Sequence, residues 1–205
     1  LEHRRQRQMC IRDSFFGSFN PVHNGHIEIA KEILNQKKFA EIWFVITPHN
    51  PIKDSSSLAS YTHRVKMVEL AIKNHDNFLA ETIEIKLAKP NYTFNTIEIL
   101  TKLHPKKSFS LIIGADNFQN FHNWKNSKKI LDLVNIIVYP RGETQMSLNQ
   151  ILIDDSRIDI IKAPLFKNRS TLIRESLTNK KFDAINDTPK EVKMYIQSQG
   201  LYNTN

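Results

Sequence analysis

The sequence is poor in cysteine and glycine, with one Cys (Cys10) and five Gly among 205 residues. A single thiol excludes a disulfide framework and disfavours a zinc site built on thiolates. The longest apolar runs, IWFVI and LVNIIVY, are far too short to span a bilayer. The first residues are basic and polar, without the apolar segment of a secretory signal. We therefore expect a cytoplasmic protein that does not associate with membranes.

Two common phosphate-binding sequences are also missing. The chain contains no Gly-x-Gly-x-x-Gly, and no Gly-Lys followed by Ser or Thr. The first absence excludes the usual dinucleotide-binding fingerprint, and the second excludes a P-loop.

Basic residues outnumber acidic ones, 29 to 21, which gives a formal net charge of +8. The Lys and Arg residues are scattered, with no basic stripe and no patch interleaved with aromatic residues. We therefore do not expect nucleic acid as a partner. A generic basic surface, or a small anionic substrate such as a nucleotide, accounts for the charge.

Residues 1–13, LEHRRQRQMCIRD, differ from the rest of the chain. They carry four Arg among polar residues, where an apolar strand is expected before a glycine turn. The string MCIRDS also resembles a translated sequencing-adapter end. We interpret 1–13 as a non-native or disordered segment, so that only 14–16 remain of the first strand. Residues 14–205 are predicted to form a single domain.

Apolar runs alternate with amphipathic segments along the chain. Ile27, Ala30, Ile33 and Leu34 share one helical face. Further helices are predicted at 63–73 with a stripe of Val65, Val68 and Ile72, near Thr96, at 127–134, at 170–177 and at 189–201. Strands are predicted at 41–46, 81–87, 109–116, 135–142 and 158–161. This order predicts an α/β protein with an open, Rossmann-like parallel sheet covered by helices on both faces.

The stretch GSFNPVHNGH, residues 17–26, stands where the first strand becomes a helix. A helix N-terminus offers free N–H donors to phosphate, and Gly25 allows a close approach to the backbone. His23 and His26, three residues apart, lie on one side of the first turn. Two imidazoles there can donate hydrogen bonds to phosphate oxygens. TPHNPIK, GADNF and YPRG follow other strands, and ligands of such sheets bind beyond the carboxyl ends of the strands.

GSFNPVHNGH resembles the His-x-Gly-His signature of a nucleotidyltransferase superfamily, which transfers nucleotidyl groups from ATP or CTP. STLIRESL resembles its second signature, a Ser/Thr-x-x-Arg turn that opens a late helix. Further pieces resemble bacterial nicotinate-nucleotide adenylyltransferases: TPHNPIK, PNYTFNTIEIL, IIGADNFQNFHNWK, YPRG and VKMYIQSQGLY. The resemblance runs from about residue 14 to residue 202.

The resemblance implies adenylyl transfer from ATP to nicotinate mononucleotide, which gives deamido-NAD and pyrophosphate for NAD biosynthesis. Mg²⁺ would bridge phosphate oxygens, and no metal ligand from the protein is expected. Catalytic roles fall on His23, His26, Lys53 and Arg174. Contacts to ATP and its phosphates are implied for Gly17, Ser18, Phe19, Gly25, Gly114, Asp116, Ser170 and Thr171. Contacts to nicotinate mononucleotide are implied for Asn20, Tyr92, Thr93 and Trp124.

The chain departs from the family pattern in several places. Asn20 and Asn95 stand where Asp is usual, and Arg169 replaces a Ser, which puts one hydroxyl contact to the triphosphate in doubt. His49 and Arg141 are weaker candidates for phosphate or structural contacts.

Other functions stay open from the sequence. The same chemistry could use phosphopantetheine or nicotinamide mononucleotide as acceptor, and a non-catalytic nucleotide- or RNA-binding module is an alternative of another class. Whether the chain forms a homo-oligomer also stays open.

Overall fold

A computed structural model describes residues 11–37, 41–48, 57–140, 155–164, 170–179 and 184–202. Its core is a sheet of six parallel strands in the order β3-β2-β1-β4-β5-β6. The strands are β1 (Ile11–Gly17), β2 (Glu41–Ile46), β3 (Phe78–Glu81), β4 (Ser108–Gly114), β5 (Asn135–Tyr139) and β6 (Ile158–Ile160). The strand order reverses between β1 and β4, as in doubly wound folds. The predicted fold class is confirmed.

Helices connect the strands within the described ranges. They are α1 (Asn24–Gln36), α2 (Tyr61–Ile72), α3 (Thr93–Leu103), α4 (Ala115–Phe118), α5 (Ser127–Leu133), α6 (Ser170–Thr178) and α7 (Lys190–Ser198). Short 3₁₀ turns cover Ile83–Lys86, Phe121–Asn123 and Ala184–Asp187. No helix of these described segments is both long enough and apolar enough to cross a bilayer.

The sheet is buried on both faces, which explains its continuous apolar strands. Side chains alternate along β2: Phe44 belongs to one buried cluster and Val45 to the other. The first cluster joins the sheet to α1, α2, α6 and α7 through residues such as Ile33, Val68, Ile173 and Val192. The second joins it to α3 and α5 through residues such as Ile97, Leu100 and Ile130.

The first strand is longer than expected from the sequence. β1 begins at Ile11, so three residues that we assigned to a non-native or disordered segment belong to the sheet. Ile11 pairs with β4, and Arg12 and Asp13 pair with both β2 and β4. Asp13 lies between Ile42 and Ser110 and is completely buried. Burial raises the pKa of Asp13 to about 6, although the hydroxyl of Ser110 and the charge of Lys37 offset part of this rise. Disorder is therefore wrong for residues 11–13, because their backbone completes the parallel ladder.

The strand predicted at 81–87 is wrong in position. β3 ends at Glu81, and Ile83–Lys86 form a 3₁₀ turn. Ile83, Ile85 and Leu87 alternate like strand residues, but Ile85 is 49 % exposed and Glu84 is buried. Pairing with β2 over Phe78–Glu81 decides where this edge strand lies.

The buried face of α2 also differs from the expected stripe. Val68 and Ile72 are buried as predicted, whereas Val65 is only half-buried. Arg64 occupies the buried face one turn before Val68 and is 1 % exposed. A hydrophobic pattern cannot identify such a position, because Arg is normally assigned to the surface.

Candidate active site

A cleft of about 940 Å³ opens at the carboxyl ends of β1 and β4, where the strand order reverses. Known ligand pockets have volumes of about 300–1,000 Å³. Its lining comes from the turn after β1 and from the starts of α1, α3 and α6. Phe15, Ile112 and Tyr139 supply an apolar part of the wall. The cleft therefore lies at the position where open α/β sheets bind ligands.

The turn after β1 depends on a glycine that leaves room for an aromatic ring. A Cβ added to Gly17 would lie 2.9 Å from Cζ of Phe19, too close for ordinary contact. Phe19 has a φ of 46°, a left-handed conformation that is uncommon for a bulky residue. The ring of Phe19 packs edge-on to that of His26, with 5.2 Å between centroids. Gly17 and Phe19 both line the cleft and together support His26.

Two histidine rings stack where α1 begins. The centroids of His23 and His26 are 3.7 Å apart and the ring planes differ by 29°. The backbone N–H of His23, the N-cap, donates to Nδ1 of His26 over 3.2 Å. An accepting Nδ1 leaves the proton of the neutral ring on Nε2, so His26 keeps a donor. Gly25 is buried in the same first turn.

Only one of the two histidines reaches the cleft surface of the described structure. His26 lines the cleft, whereas His23 is 3 % exposed and is not among the described lining residues. The structure thus brings the predicted pair together, with His26 at the surface and His23 stacked on it.

Asn20 connects the turn after β1 to three other segments. Its Nδ2 donates to the carbonyl of Ser57 over 2.9 Å. Its Oδ1 accepts from the backbone N–H of Ala59 and from the hydroxyl of Tyr202, at 3.0 and 2.7 Å. Its carbonyl accepts from Nη1 of Arg174 over 2.8 Å. Asn20 lines the cleft, but these internal contacts already use both polar atoms of its side chain.

The start of α6 lies against the same turn. Ser170 Oγ donates to the carbonyl of Pro21 over 3.0 Å. Arg174 Nη2 donates to Oγ1 of Thr171 over 3.4 Å. All three residues, Ser170, Thr171 and Arg174, line the cleft. The two signatures, about 145 residues apart in sequence, therefore meet in one cavity.

Three of the four residues expected to contact the acceptor, all except Asn20, lie at another wall of the cleft. Tyr92 is the N-cap of α3 and Thr93 is its first residue. Trp124 packs on Phe121, with 5.5 Å between ring centroids, and also lines the cleft. Nζ of Lys125 lies 4.2 Å from the centroid of the Tyr92 ring. Aromatic faces, backbone donors and a cation are thus gathered in one part of the cavity.

A buried carboxyl group stands beside this wall. Glu84 is 2 % exposed and lines the cleft. The hydroxyl of Thr96 donates to its Oε1 over 2.7 Å, and Asn91 Nδ2 donates to its carbonyl over 2.9 Å. Burial raises the pKa of Glu84, and the hydroxyls of Thr96 and Thr47 partly oppose this.

The end of β4 contributes Gly114 and the start of α4. A Cβ at Gly114 would lie 3.2 Å from the hydroxyl of Tyr139, so a larger residue would crowd the wall. Asp116 is exposed in the first turn of α4 and is not among the described lining residues, which include its neighbours Asn117 and Asn120. The contact of Asp116 with ATP stays a prediction.

Several predicted residues lie outside the described residues: His49, Lys53, Arg141 and Arg169. Asn95 is half-buried in the first turn of α3. The described part of the chain has no group of three or more His, Cys, Asp or Glu side chains that could hold a metal ion.

Sequence reasoning missed Arg64, Glu84 and Tyr202. Glu84 lies in the segment mistaken for a strand, and Tyr202 contacts Asn20 across 182 positions of the chain. Arg64 shares a helical face with Val68 and Ile72, but a hydrophobic pattern does not mark an Arg on that face as buried.

Comparison with known proteins agrees with this geometry. A family model described as cytidylyltransferase-like matches residues 14–176. A probable nicotinate-nucleotide adenylyltransferase of Flavobacterium psychrophilum is 40% identical over 188 residues, which cover 92% of this chain and 96% of the relative. One of Cytophaga hutchinsonii with the same name is 38% identical over the same shares.

A solved structure supports the fold. The nicotinic acid mononucleotide adenylyltransferase of Plasmodium falciparum, complexed with NaAD, superposes with a TM-score of 0.79. The match covers 95% of this chain and 98% of that chain at 21% sequence identity.

Proposed function

Because the chain belongs to the family of nicotinate-nucleotide adenylyltransferases, we propose that it transfers the adenylyl group of ATP to nicotinate mononucleotide. The products are deamido-NAD and pyrophosphate, and the reaction serves NAD biosynthesis. In this proposal the enzyme is a single nucleotidyltransferase domain that includes the whole of β1, three residues more than the expected start at residue 14, and that works in the cytoplasm.

One observation carries the proposal: both signature segments and the acceptor wall line a single cleft. His26 and Ser18 come from the turn after β1, and Arg174 comes from α6. Tyr92 and Trp124 belong to the same cavity. Its volume of about 940 Å³ is near the upper end of the range of ligand pockets, about 300–1,000 Å³.

The chemistry requires positioning more than proton transfer. The 5′-phosphate of nicotinate mononucleotide attacks the α-phosphorus of ATP, a new P–O bond forms, and the bond to pyrophosphate breaks. The second pKa of a phosphate monoester is about 6, so the attacking group is largely ionised at neutral pH. No side-chain base and no covalent intermediate are needed. The protein has to align the groups in line and neutralise charge on the transferring and leaving phosphates.

The α1 side of the cleft suits the transferring phosphate. His26 lines the cleft, and its Nδ1 accepts from the backbone N–H of His23, so Nε2 carries the proton of the neutral ring. Phe19 and His23 pack on the ring of His26 and hold it in one orientation. Ser18 and the N-terminus of α1 add donors to the same oxygen atoms. A fixed donor at this point costs no reorganisation when charge develops.

The α6 side suits the leaving pyrophosphate. Ser170, Thr171 and Arg174 combine hydroxyls, helix N–H groups and a guanidinium. A guanidinium binds phosphate through charge-assisted hydrogen bonds. We also assign Lys53 to the leaving pyrophosphate, because its loop TPHNPIK resembles the corresponding loop of the family.

Mg²⁺ would be bound together with ATP and would supply further neutralisation of the phosphate charge. Mg²⁺ keeps most of its waters and binds chiefly through substrate phosphates.

The acceptor wall suits a pyridine ring with a carboxylate. Trp124 offers a face for stacking on the ring. The backbone N–H groups at the start of α3, near Tyr92 and Thr93, suit the carboxylate, because a helix N-terminus favours an anion. Lys125, over the Tyr92 ring, adds a positive charge to this wall.

The test is pyrophosphate release from ATP and Mg²⁺ with three acceptors in parallel: nicotinate mononucleotide, nicotinamide mononucleotide and 4′-phosphopantetheine. We expect the highest kcat/KM with nicotinate mononucleotide. A preference for phosphopantetheine would replace the proposed acceptor. Binding of ATP without pyrophosphate release with any acceptor would favour a non-catalytic nucleotide-binding module.

A further inference from the structure

Arg64 is a fully buried cation that the reaction scheme above does not use. It lies in the first turn of α2 and is 1 % exposed. Arg is rarely buried to this degree unless it is paired with an acid. Among the described residues its side chain makes no ion pair with a carboxylate, and its hydrogen bonds go to backbone carbonyls.

Four N–H groups of this guanidinium reach three separate segments. Nη1 donates to the carbonyls of Ser18 and Thr47, each over 2.7 Å. Nη2 donates to the carbonyl of Pro48 over 2.7 Å, and Nε donates to that of Ala59 over 3.0 Å. One planar group thus joins the turn after β1, the loop after β2 and the segment before α2.

Each of these segments also touches the cleft. Ser18 and Thr47 line it directly. The backbone N–H of Ala59 donates to Oδ1 of Asn20. Ala59 therefore connects Arg64 to the turn after β1, because its carbonyl accepts from Arg64. The backbone N–H of Thr47 donates to the carbonyl of Gly17 over 3.0 Å, which extends the pairing of the two strands up to the turn.

We propose that Arg64 is a positioning residue for the adenylyl transfer. By binding the carbonyls of Ser18, Thr47, Pro48 and Ala59 together, it sets the turn after β1 at one distance from the loop after β2. This inference rests on the proposed function, because the geometry it maintains is that of the donors to ATP. A shift of about 1 Å in such donors can lower a rate about 10²-fold.

A guanidinium suits this role better than an ammonium group. Arg has five N–H donors in a fixed plane, whereas Lys has three donors at one point. Lys at position 64 would leave some of the four carbonyls without a partner, and Ala would leave all of them. Burial lowers the pKa of Arg64, yet a guanidinium stays charged at neutral pH because its ordinary value is above about 12.

The test compares Arg64→Ala, Arg64→Lys and the control Lys66→Ala, an exposed cation on the same helix. For variants that are folded by circular dichroism, we expect kcat of Arg64→Ala to fall about 10²-fold. Arg64→Lys is expected to lie between Arg64→Ala and the wild type, with a larger change in kcat than in KM. Lys66→Ala is expected to keep the wild-type kcat.

Chemical rescue separates positioning from general stability. Free guanidinium at millimolar concentration is expected to restore much of the activity of Arg64→Ala, whereas urea, which has a similar shape but no charge, is not. If Arg64→Ala fails to fold, the kcat of Arg64→Lys decides. A kcat within about twofold of the wild type, with only a lower melting temperature, would overturn the proposal, as would the absence of rescue in a folded variant.

The wild-type acceptor assay keeps the two claims distinguishable. Wild-type turnover with nicotinate mononucleotide supports the proposed function whatever the variants do. Hydrogen exchange at the amide of Thr47 gives a readout without catalysis: faster exchange in Arg64→Ala, slowed again by guanidinium, is expected. Unchanged exchange would contradict the positioning role even if the proposed function holds.

Discussion

At the scale of single residues, Asp13 is the most unusual position in the sheet. It lies on a central strand, completely buried, between Ile42 of β2 and Ser110 of β4. Its pKa is raised from 3.8 to about 6, chiefly by burial. A buried, unfavourable carboxyl group is expected if the segment that carries it is not native to this fold. That residues 1–13 are non-native stays our prediction.

The raised pKa has a definite consequence for stability. Between about pH 4 and pH 6 the native state binds more protons than the unfolded state, so stability falls as the pH rises through this window. Above pH 6 Asp13 is ionised in the native state, and the full loss of stability applies. A difference of about 2 pKa units corresponds to about 3 kcal/mol of unfolding free energy.

We therefore predict that Asp13→Val stabilises the protein. At pH 7.5 the free energy of unfolding in urea should rise by about 2–3 kcal/mol. The gain should shrink towards pH 4, where Asp13 is protonated in the native state. The control is Asp76→Val at an exposed site, for which a change within about 0.5 kcal/mol is expected. If Asp13→Val were no more stable than the wild type at pH 7.5, buried Asp13 would not destabilise the native state as we infer.

At the scale of elements, the contact between a 3₁₀ turn and α3 shapes the acceptor wall. The hydroxyl of Thr96, completely buried in α3, donates to the carboxyl group of Glu84 in the turn Ile83–Lys86. Asn91 adds a second tie, from its side-chain amide to the carbonyl of Glu84. These bonds hold the turn against the helix whose first residues line the cleft.

Thr96→Val tests this connection. The change keeps the shape of the side chain and removes the donor, so the free energy of unfolding should fall by about 1–3 kcal/mol at pH 8. The loss of unfolding free energy should be smaller at pH 5. Burial already raises the pKa of Glu84, and removing the hydroxyl raises it further. The variant therefore loses stability as the pH increases and the buried carboxyl group has to ionise.

The same helix provides the matched control, Thr101→Val. Among the described residues, the hydroxyl of Thr101 binds carbonyls of its own helix, those of Ile97 and Glu98. Urea unfolding of both variants at the two pH values measures the difference. An equal and pH-independent loss for both variants would show that Thr96 does not stabilise the charge of Glu84.

At the scale of the whole molecule, the fold class and the position of an inner strand such as β2 could be predicted better than the edge strands. β2 is predicted at 41–46 and found as Glu41–Ile46, because a buried parallel strand is a continuous apolar run. β3 is misplaced because an edge strand is set by its pairing with β2 rather than by its own pattern. The start of β1 is missed because Arg12 and Asp13 have no strand signal of their own.

The residues of the site likewise differ in how well the sequence predicts them. His26, Ser170 and Arg174 could be predicted because each belongs to a short local signature. Arg64 and Tyr202 could not, since their partners lie far away in the chain: Ser18 is 46 positions from Arg64, and Asn20 is 182 positions from Tyr202. Such contacts depend on how the helices pack on the sheet, which no local pattern specifies.

The most direct test of adenylyl transfer at this cleft is the kcat of His26→Ala with ATP, Mg²⁺ and nicotinate mononucleotide, measured beside the dissociation constant for ATP. Loss of a preorganised donor to the transition state predicts that kcat falls at least about 10²-fold, with a modest change in ATP affinity. An unchanged kcat in this variant would contradict the account.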